Sequence, residues 1–368
     1  MQGGFLGFSC GIIGLPNAGK STIFNALTAA GAQVANYPFC TIDPNQGIVP
    51  VPDPRLKKLA QILHPEKVTP TVLEFWDIAG LVKGASQGEG LGNRFLGHIR
   101  NVDAVAHVVR CFESENVVHV HGSVDPKRDI EIIQTELILA DFETVEKRLQ
   151  KTEHQAKVGD KKAAAEIPIL QAVYKHLAAG SPASGLKASA EDEKVVASLE
   201  LLTSKPQLYV ANVSERELQE RQFIPKVEQI AASEKAPVVI VCGDLEAEMA
   251  ELSEEERAEF LREMGLAETA LNQLIRAGYG ILRLLTFYTT VGTELRAWTV
   301  PRGTRAPQAA GKIHSDMERG FIRAEVISFD QFVAAGSMAA ARERGMILVE
   351  GKEYLVRDGD ILHIRFHV

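Results

Sequence analysis

Residues 14–21 read Gly14-Leu15-Pro16-Asn17-Ala18-Gly19-Lys20-Ser21, a glycine-framed loop that ends in Lys-Ser. The apolar run at 8–13 predicts a short buried strand before the loop, and residues 22–27 have the apolar spacing of a helix after it. A loop of this composition between a strand and a helix is typical of a P-loop, whose backbone N–H groups converge on phosphate oxygens. We therefore expect Lys20 to reach the terminal phosphates of a nucleotide and the Ser21 hydroxyl to bind Mg²⁺.

The composition narrows the class of protein. The chain has 368 residues, enough for two or three domains, and its formal net charge of -8 argues against a surface coated in positive charge, so we expect no DNA partner. It contains no run of about 18 apolar residues and no basic-then-apolar leader, so we expect no membrane association and a cytoplasmic location. The four cysteines are scattered without CxxC spacing, which argues against a zinc site and a disulfide framework.

The pattern along the chain predicts three parts. Strand-like and helical stretches alternate up to about residue 130, which predicts a mostly parallel α/β sheet. Two amphipathic helices follow, with Ile138, Phe142, Val145 and Leu149 on one and Ile167, Leu170, Tyr174 and Leu177 on the other. The chain becomes rich in β signals from about residue 284. We expect an α/β domain over 1–130 and 205–283, a helical hairpin insertion over 131–204, and a small separate domain over 284–368.

Two further motifs fit a nucleotide-dependent switch. The strand ending at Trp76 leads into Asp77-Ile78-Ala79-Gly80, a DxxG element in which Asp77 is expected to bind Mg²⁺ through water and the Gly80 N–H to contact the γ-phosphate. The glycine-rich segment 80–93 is then switch II. The segment 36–42 is suited to switch I, with Thr41 supplying a second Mg²⁺ hydroxyl.

These motifs resemble the YchF subfamily of Obg-like P-loop ATPases over almost the whole chain. The resemblance depends on GLPNAGKST at 14–22, NYPFCTIDPN at 36–45, DIAGLVKGASQGEGLGNRFL at 77–96, ANVSE at 211–215, and three blocks of the C-terminal part, LRAWTVPRG, APQAAGKIHSDMERGFIRAE and GKEYLVRDGDILHIRF. It implies a P-loop NTPase sheet with a helical insertion and a C-terminal β-grasp domain of the TGS type. It also implies ATP as substrate, Mg²⁺ as cofactor, and the ribosome as partner, at the large subunit, with tRNA as a further candidate.

The choice of base follows from the segment Asn212-Val213-Ser214-Glu215. Guanine-specific relatives use NKxD, in which the Asp accepts the guanine N1–H and N2–H₂ groups and the Lys stem packs on the base. This chain has Val213 in place of the Lys and Glu215 in place of the Asp, which weakens guanine discrimination and favours adenine. The family prefers ATP, and Cys242-Gly243 is expected to form the last loop on the base side.

The position that usually carries the water-orienting side chain has no residue suited to that task. Ras-like enzymes orient the attacking water with a Gln after the DxxG glycine, whereas this chain has Leu81, so slow hydrolysis is expected. By resemblance, Asn17 helps to place K⁺ beside the phosphates, and His119 either orients water or is an ordinary loop histidine, with His121 a weaker candidate.

The expected site therefore comprises catalytic, nucleotide-binding and metal-binding groups. The catalytic candidates are His119, Lys20 and Asn17. The nucleotide-binding candidates are Asn17, Ala18, Gly19, Lys20, Ser21, Thr22, Gly80, Asn212, Val213, Glu215, Cys242 and Gly243. The Mg²⁺ candidates are Ser21, Thr41 and Asp77.

The sequence is compatible with three functions. The first is a cytosolic ATPase switch that acts at the ribosome and turns over slowly. The second is a ribosome-assembly GTPase, which the absence of NKxD opposes. The third is an RNA-binding or ribosome-binding protein with little turnover. Basic residues near turns of the C-terminal part either contact RNA phosphates or form a solvated surface balanced by acids, and they are Arg302, Arg305, Lys312, Arg319 and Arg323.

Overall fold

The computed structural model describes residues 7–32, 45–78 and 91–367. The predictions made for Thr41, Gly80 and Leu81, for switch I at 36–42 and for most of switch II at 80–93 lie outside the described residues. By its internal contacts the chain divides into two compact units, one within 1–48 and 74–278 and the other within 49–73 and 279–368.

The described residues form strands β1 to β12 and helices α1 to α15. The strands are β1 Ser9–Ile13, β2 Gln46–Pro50, β3 Lys67–Thr69, β4 Val72–Asp77, β5 Ala104–Cys111, β6 Gln207–Val213, β7 Val238–Val241, β8 Leu284–Val291, β9 Glu294–Pro301, β10 Phe321–Ser328, β11 Leu348–Glu350 and β12 Asp360–Phe366. The helices are α1 Lys20–Ala32, α2 Pro54–Leu63, α3 Leu91–Asn101, α4 Pro126–Lys157, α5 Lys161–Ala178, α6 Ala190–Ala197, α7 Glu215–Glu220, α8 Ile224–Glu234, α9 Gly243–Glu251, α10 Glu254–Glu263, α11 Ala270–Ile281, α12 Ala306–Ile313, α13 Ser315–Arg319, α14 Phe329–Ala335 and α15 Met338–Glu343.

The first unit is built on a sheet with the strand order β2-β4-β1-β5-β6-β7. Neighbouring pairs β1–β4, β1–β5, β5–β6 and β6–β7 are all parallel. Every residue of β1 and of β5 is buried, as expected for central strands covered by helices on both faces. The predicted α/β fold with a P-loop after its first strand is confirmed, and the carboxyl ends of β1, β4, β5 and β6 define the edge where ligands bind in such sheets.

The predicted helical hairpin is formed by α4 and α5. Helix α4 begins at Pro126, a few residues earlier than predicted, and Asp160 begins α5 by accepting hydrogen bonds from the backbone N–H groups of Lys162 and Ala163. The hairpin has its own apolar core, which includes Val145, Leu170, Val173, Leu177, Leu199 and Leu201. Helix α5 continues through Pro168, and the insertion is held together by its own packing.

The second unit contains a sheet with the order β11-β10-β12-β8-β9-β3. Strands β8 and β12 pair in parallel at its centre, β9 is antiparallel to β8, and β10 is antiparallel to both β12 and β11. Within residues 284–368 the first and last strands, β8 and β12, lie in parallel at the centre with antiparallel strands on both sides, which is the arrangement of a β-grasp fold, as predicted.

Residues 49–73 pack within this second unit. Strand β3 pairs in parallel with β9, and Leu56 and Leu59 of α2 share a core with Tyr288 and Leu295. The Asp53 carboxylate accepts a hydrogen bond from the Tyr288 hydroxyl at 2.5 Å. From the sequence this segment is expected in the α/β domain, because it lies between two motifs of that domain, but its contacts lie with the C-terminal part.

Within the described ranges, no helix combines the length and the apolar character needed to cross a lipid bilayer.

Candidate nucleotide-binding site

The P-loop joins β1 to α1 through a backbone that requires glycine at two positions. Gly14 has φ of +152° and Gly19 has φ of +91°, in the region that favours glycine. A Cβ on Gly14 would lie 2.3 Å from the Val108 carbonyl oxygen, and a Cβ on Gly19 would lie 2.0 Å from Asn212 Nδ2. Asn17 also has a positive φ, 62°, which asparagine tolerates better than most residues. Both glycines are therefore fixed by the loop conformation and by close neighbours on β5 and β6.

Lys20 is the first residue of α1, and its ammonium group folds back over the loop. Its Nζ donates a hydrogen bond to the Leu15 carbonyl oxygen at 2.9 Å, and the residue is buried. Burial lowers the pKa of Lys20, while the Asp77 carboxylate acts in the opposite direction. Beneath the loop, burial and the Lys20 charge lower the pKa of His107 to about 3, so this histidine is neutral. Lys20 thus places its amine at the N-terminus of α1, where an anionic ligand is favoured.

Ser21 and Asp77 come together at the ends of α1 and β4. The Ser21 hydroxyl donates a hydrogen bond to Asp77 Oδ2 at 2.8 Å. The other carboxylate oxygen, Asp77 Oδ1, is buried and has no hydrogen-bond partner among the described residues. A buried carboxylate oxygen without a partner is costly, and an oxygen-seeking cation would compensate for it. The hydroxyl and the carboxylate are the donor set of Mg²⁺ in a P-loop protein, so these residues fit the predicted metal.

Asn212 connects the P-loop to the predicted base-side loop. This buried side chain donates from Nδ2 to the Ala18 carbonyl oxygen at 2.9 Å and accepts at Oδ1 from the Gly243 N–H at 3.2 Å. Two of its hydrogen-bonding groups are therefore engaged within the protein. The exposed Thr22 has its methyl group near Gly243, 3.5 Å from where a Cβ on that glycine would lie.

The remaining base-side candidates differ in exposure. Val213 is buried in an apolar cluster that also contains Cys242, and Glu215 is exposed as the first residue of α7. Cys242 immediately precedes α9, and burial raises the pKa of its thiol. The structure thus places Asn212 and Gly243 beside the P-loop, Val213 in the core and Glu215 at the surface. Their roles in base recognition stay predictions.

Arg110 is a residue of the site that the sequence analysis did not identify. It lies near the end of β5, is 3% exposed, and stacks on the Phe112 ring with its Cζ atom 4.6 Å from the ring centre. Its guanidinium donates to the carbonyl oxygens of Phe112 at 3.1 Å, Val117 at 2.8 Å and Asn17 at 3.5 Å. The Asn17 side chain donates in turn to the Val118 carbonyl oxygen at 3.0 Å. An arginine inside a mostly apolar strand run was the signal available in the sequence.

His119 follows this segment and is enclosed. Its Nε2 lies 2.8 Å from Asp129 Oδ2, and its Nδ1 accepts a hydrogen bond from the His121 N–H at 3.0 Å. The residue is 8% exposed. In this conformation both ring nitrogens are engaged and neither is open to a water molecule, so a catalytic role for His119 stays a prediction that requires the segment to rearrange.

Two family profiles match the chain. Residues 9–148 match a family described as a 50S ribosome-binding GTPase, and residues 284–367 match the C-terminal domain family of YchF GTPases, whose own description is a protein of unknown function. The first match covers strands β1 to β5 and most of α4, and the second covers strands β8 to β12.

Relatives match over nearly the full length. The chain is 54% identical over 366 residues to the ribosome-binding ATPase YchF of Bacillus subtilis, covering 99% of this chain and 100% of that protein. It is 52% identical over 363 residues, with the same coverage, to the protein of that name from Escherichia coli O157:H7. The solved structure of the Schizosaccharomyces pombe YchF GTPase superposes with a TM-score of 0.89, at 37% identity and 97% coverage of both chains. The chain belongs to the YchF family of P-loop nucleotide hydrolases.

Proposed function

We propose that this chain is an ATPase switch that binds MgATP in the P-loop site, hydrolyses it slowly to ADP and phosphate, and acts at the ribosome. The observation that carries the proposal is the juxtaposition of Ser21 with Asp77 Oδ1, a buried oxygen without a described partner, beside the Lys20 ammonium. Relatives over half identical across the chain bear the name ribosome-binding ATPase.

The described residues have distinct tasks in this proposal. Lys20 exchanges its contact with the Leu15 carbonyl for the terminal phosphates, because a charged acceptor binds an ammonium group more strongly than a carbonyl does. Ser21 and Asp77, with Thr41, would hold Mg²⁺, which supplies charge stabilisation at the β- and γ-phosphates when bound. Water then attacks the γ-phosphorus in line, the bond to the β-phosphate bridging oxygen breaks, and ADP leaves.

Preference for adenine is supported by the base-side residues. Val213 in the core cannot cover a base as a lysine stem would, and Glu215 replaces the aspartate that reads guanine. Asn212 keeps one N–H of its amide outside the two hydrogen bonds described above. We propose that this group, with the loop at Cys242-Gly243, faces the adenine.

Asn17 and His119 are the proposed contributors to turnover. The exposed Asn17 offers a neutral amide oxygen, the kind of ligand that K⁺ accepts. His119 would act after leaving Asp129, either by orienting the water or by donating to a developing oxyanion. A rate limited by this rearrangement is slow, as expected for a switch.

The ribosome is the proposed partner, at its large subunit, with tRNA as a further candidate and the cytoplasm as the location. The match to a family described as a 50S ribosome-binding GTPase supports the large subunit. Among the basic residues of the β-grasp unit, Arg305 pairs with Glu353 and Arg319 pairs with Asp316, which reduces their charge toward a phosphate.

Calorimetric titration with MgATP and MgGTP tests the proposal. The wild type is expected to prefer MgATP, Lys20→Ala is expected to bind neither nucleotide measurably, and Lys161→Ala, which removes an exposed lysine of α5, is expected to match the wild type. The second candidate function is a GTPase, which the name of the Schizosaccharomyces pombe protein favours. A preference for MgGTP would favour that function and overturn the base-recognition argument.

A further inference from the structure

His119 is buried beside the start of α4. Because Nδ1 accepts the His121 N–H, it carries no proton, so the ring is the neutral tautomer with its proton on Nε2. That proton is donated to Asp129 Oδ2 over 2.8 Å. The side chains of His119 and Asp129 are each 5% exposed, so the hydrogen bond is shielded from water. A carboxylate accepts the N–H of a neutral imidazole in a stronger hydrogen bond than an uncharged acceptor would.

Asp129 is itself fixed in place. It lies in the first turn of α4, where a carboxylate is favoured by the helix dipole, and its Oδ1 accepts from Arg128 Nε at 3.2 Å and Nη2 at 3.1 Å. Arg128 is anchored in turn to the Ser123 carbonyl oxygen. Both carboxylate oxygens of Asp129 are thus engaged, one by the helix's own arginine and the other by His119.

The segment that carries His119 is also attached at its other end. Arg110 binds the Val117 carbonyl oxygen and Asn17 binds that of Val118, so the two peptide units before His119 are docked on the P-loop and β5. The segment 112–121 therefore connects the phosphate loop, through Asn17, to the first helix of the hairpin insertion, through Asp129.

We propose that Asp129 is a positioning residue that stores His119 in a neutral, inaccessible state and thereby restrains nucleotide turnover. Release of His119 requires either the P-loop contacts or the start of α4 to change. Since α4 runs without interruption from Pro126 to Lys157, a force on the hairpin acts directly on the residue that holds His119. The storage role depends on geometry alone, whereas the effect on turnover rests on the proposed ATPase function.

Chemical modification with diethyl pyrocarbonate tests the storage role. The exposed His121, two residues away, is an internal reference, because fragmentation of the peptide that spans 111–127 resolves the two histidines by mass. In the wild type His119 is expected to react at least about tenfold more slowly than His121, and its reactivity is expected to rise in the order wild type, Asp129→Asn, Asp129→Ala. Retained folding of each variant is checked by circular dichroism and thermal melting.

The matched control is Asp125→Asn. Asp125 lies at the same end of α4, makes no capping hydrogen bond through its side chain, and pairs at 3.8 Å only with the surface residue Lys226 among the described residues. It is expected to leave His119 as protected as in the wild type. A wild-type His119 as reactive as His121, or a folded Asp129→Ala protein with protected His119, would overturn the storage role.

Steady-state hydrolysis tests the restraint on turnover. Asp129→Asn is expected to raise basal kcat about threefold to tenfold with KM for MgATP unchanged, since a weaker hydrogen bond leaves His119 free for a larger fraction of time. An unchanged or lower kcat in a variant whose His119 has become reactive would overturn the restraint. Failure of the wild type to bind MgATP would instead overturn the proposed function and leave the modification result standing.

Discussion

The substitution Asn212→Asp isolates one hydrogen bond behind the P-loop. Aspartate keeps the shape of asparagine and still accepts from the Gly243 N–H, but it cannot donate to the Ala18 carbonyl oxygen 2.9 Å away. The change loses one buried hydrogen bond and leaves a carboxylate oxygen facing a carbonyl oxygen in a site that is 5% exposed. We expect a loss of about 2–4 kcal/mol in the free energy of unfolding at pH 7.

The pH dependence has a defined sign. Burial beside an acceptor raises the pKa of the introduced carboxyl in the folded state above its unfolded value. The folded state then binds the proton more tightly, so the penalty is full above the folded pKa and fades as the pH falls toward the unfolded pKa of about 4. The protonated acid can donate to Ala18 again, which restores the original contact.

Urea unfolding of the variant and the wild type between pH 4.5 and 8 measures both effects. The control is Asn25→Asp, which introduces the same charge at an exposed position of α1 and is expected to change the free energy of unfolding by less than about 0.5 kcal/mol. A loss at Asn212 no larger than that of the control, or a difference from the wild type that grows on acidification, would refute the reasoning.

Three further perturbations test other parts of the structure. Gly19→Ala forces a Cβ to 2.0 Å from Asn212 Nδ2 at a φ of +91°, so we expect a destabilised loop, by at least about 1–3 kcal/mol, and weaker MgATP binding in calorimetry. Glu246 is 4% exposed, burial raises its pKa, and its carboxylate accepts from the Ala270 N–H. Glu246→Gln keeps that acceptor and removes the buried charge, so we expect the variant to be about 1 kcal/mol more stable than the wild type in urea unfolding at pH 8. This difference should vanish as the pH falls through the raised pKa, because the wild-type side chain then becomes neutral. Leu170→Ala should cost about 2–5 kcal/mol and speed hydrogen exchange in the hairpin, with the β-grasp unit unaffected.

Much of the fold was predictable because its signals are local. The apolar runs of β1 and β5, the strand–loop–helix context of the P-loop and the helical spacing around Val145 and Leu170 each lie within one short stretch of sequence. The turn-rich C-terminal pattern predicted a separate β-rich part for the same reason, and the family resemblance supplied its β-grasp topology.

The features that were missed depend on contacts between distant residues. The packing of 49–73 with the C-terminal part depends on the pairing of β3 with β9, more than 200 residues apart, and no local pattern reports it. The same holds for Arg110, whose acceptors are backbone carbonyls that carry no residue-specific signal. His119 was identified as a candidate, but its partner Asp129 was hidden because a carboxylate in the first turn of a helix is ordinary.

The conformation of the phosphate loop is set from behind by side chains. The carbonyl oxygens of Leu15, Asn17 and Ala18 accept hydrogen bonds from Lys20, Arg110 and Asn212, which come from α1, β5 and β6. In a planar trans peptide the carbonyl of one residue points opposite to the N–H of the next. Fixing the Ala18 carbonyl toward Asn212 therefore turns the Gly19 N–H to the other side of the loop.

In this arrangement the carbonyl groups and the N–H groups of the P-loop have different partners. On the sheet side of the loop the carbonyl oxygens of Asn17 and Ala18 are satisfied by donors from β5 and β6, so the N–H groups on the opposite side are left to converge on an anion without competing acceptors. A ligand that binds there need not reorganise the backbone, and only Lys20 has to exchange an existing contact. Arg110 and Asn212 hence support phosphate binding by fixing the loop carbonyls, and substitution of either should weaken MgATP binding in calorimetry.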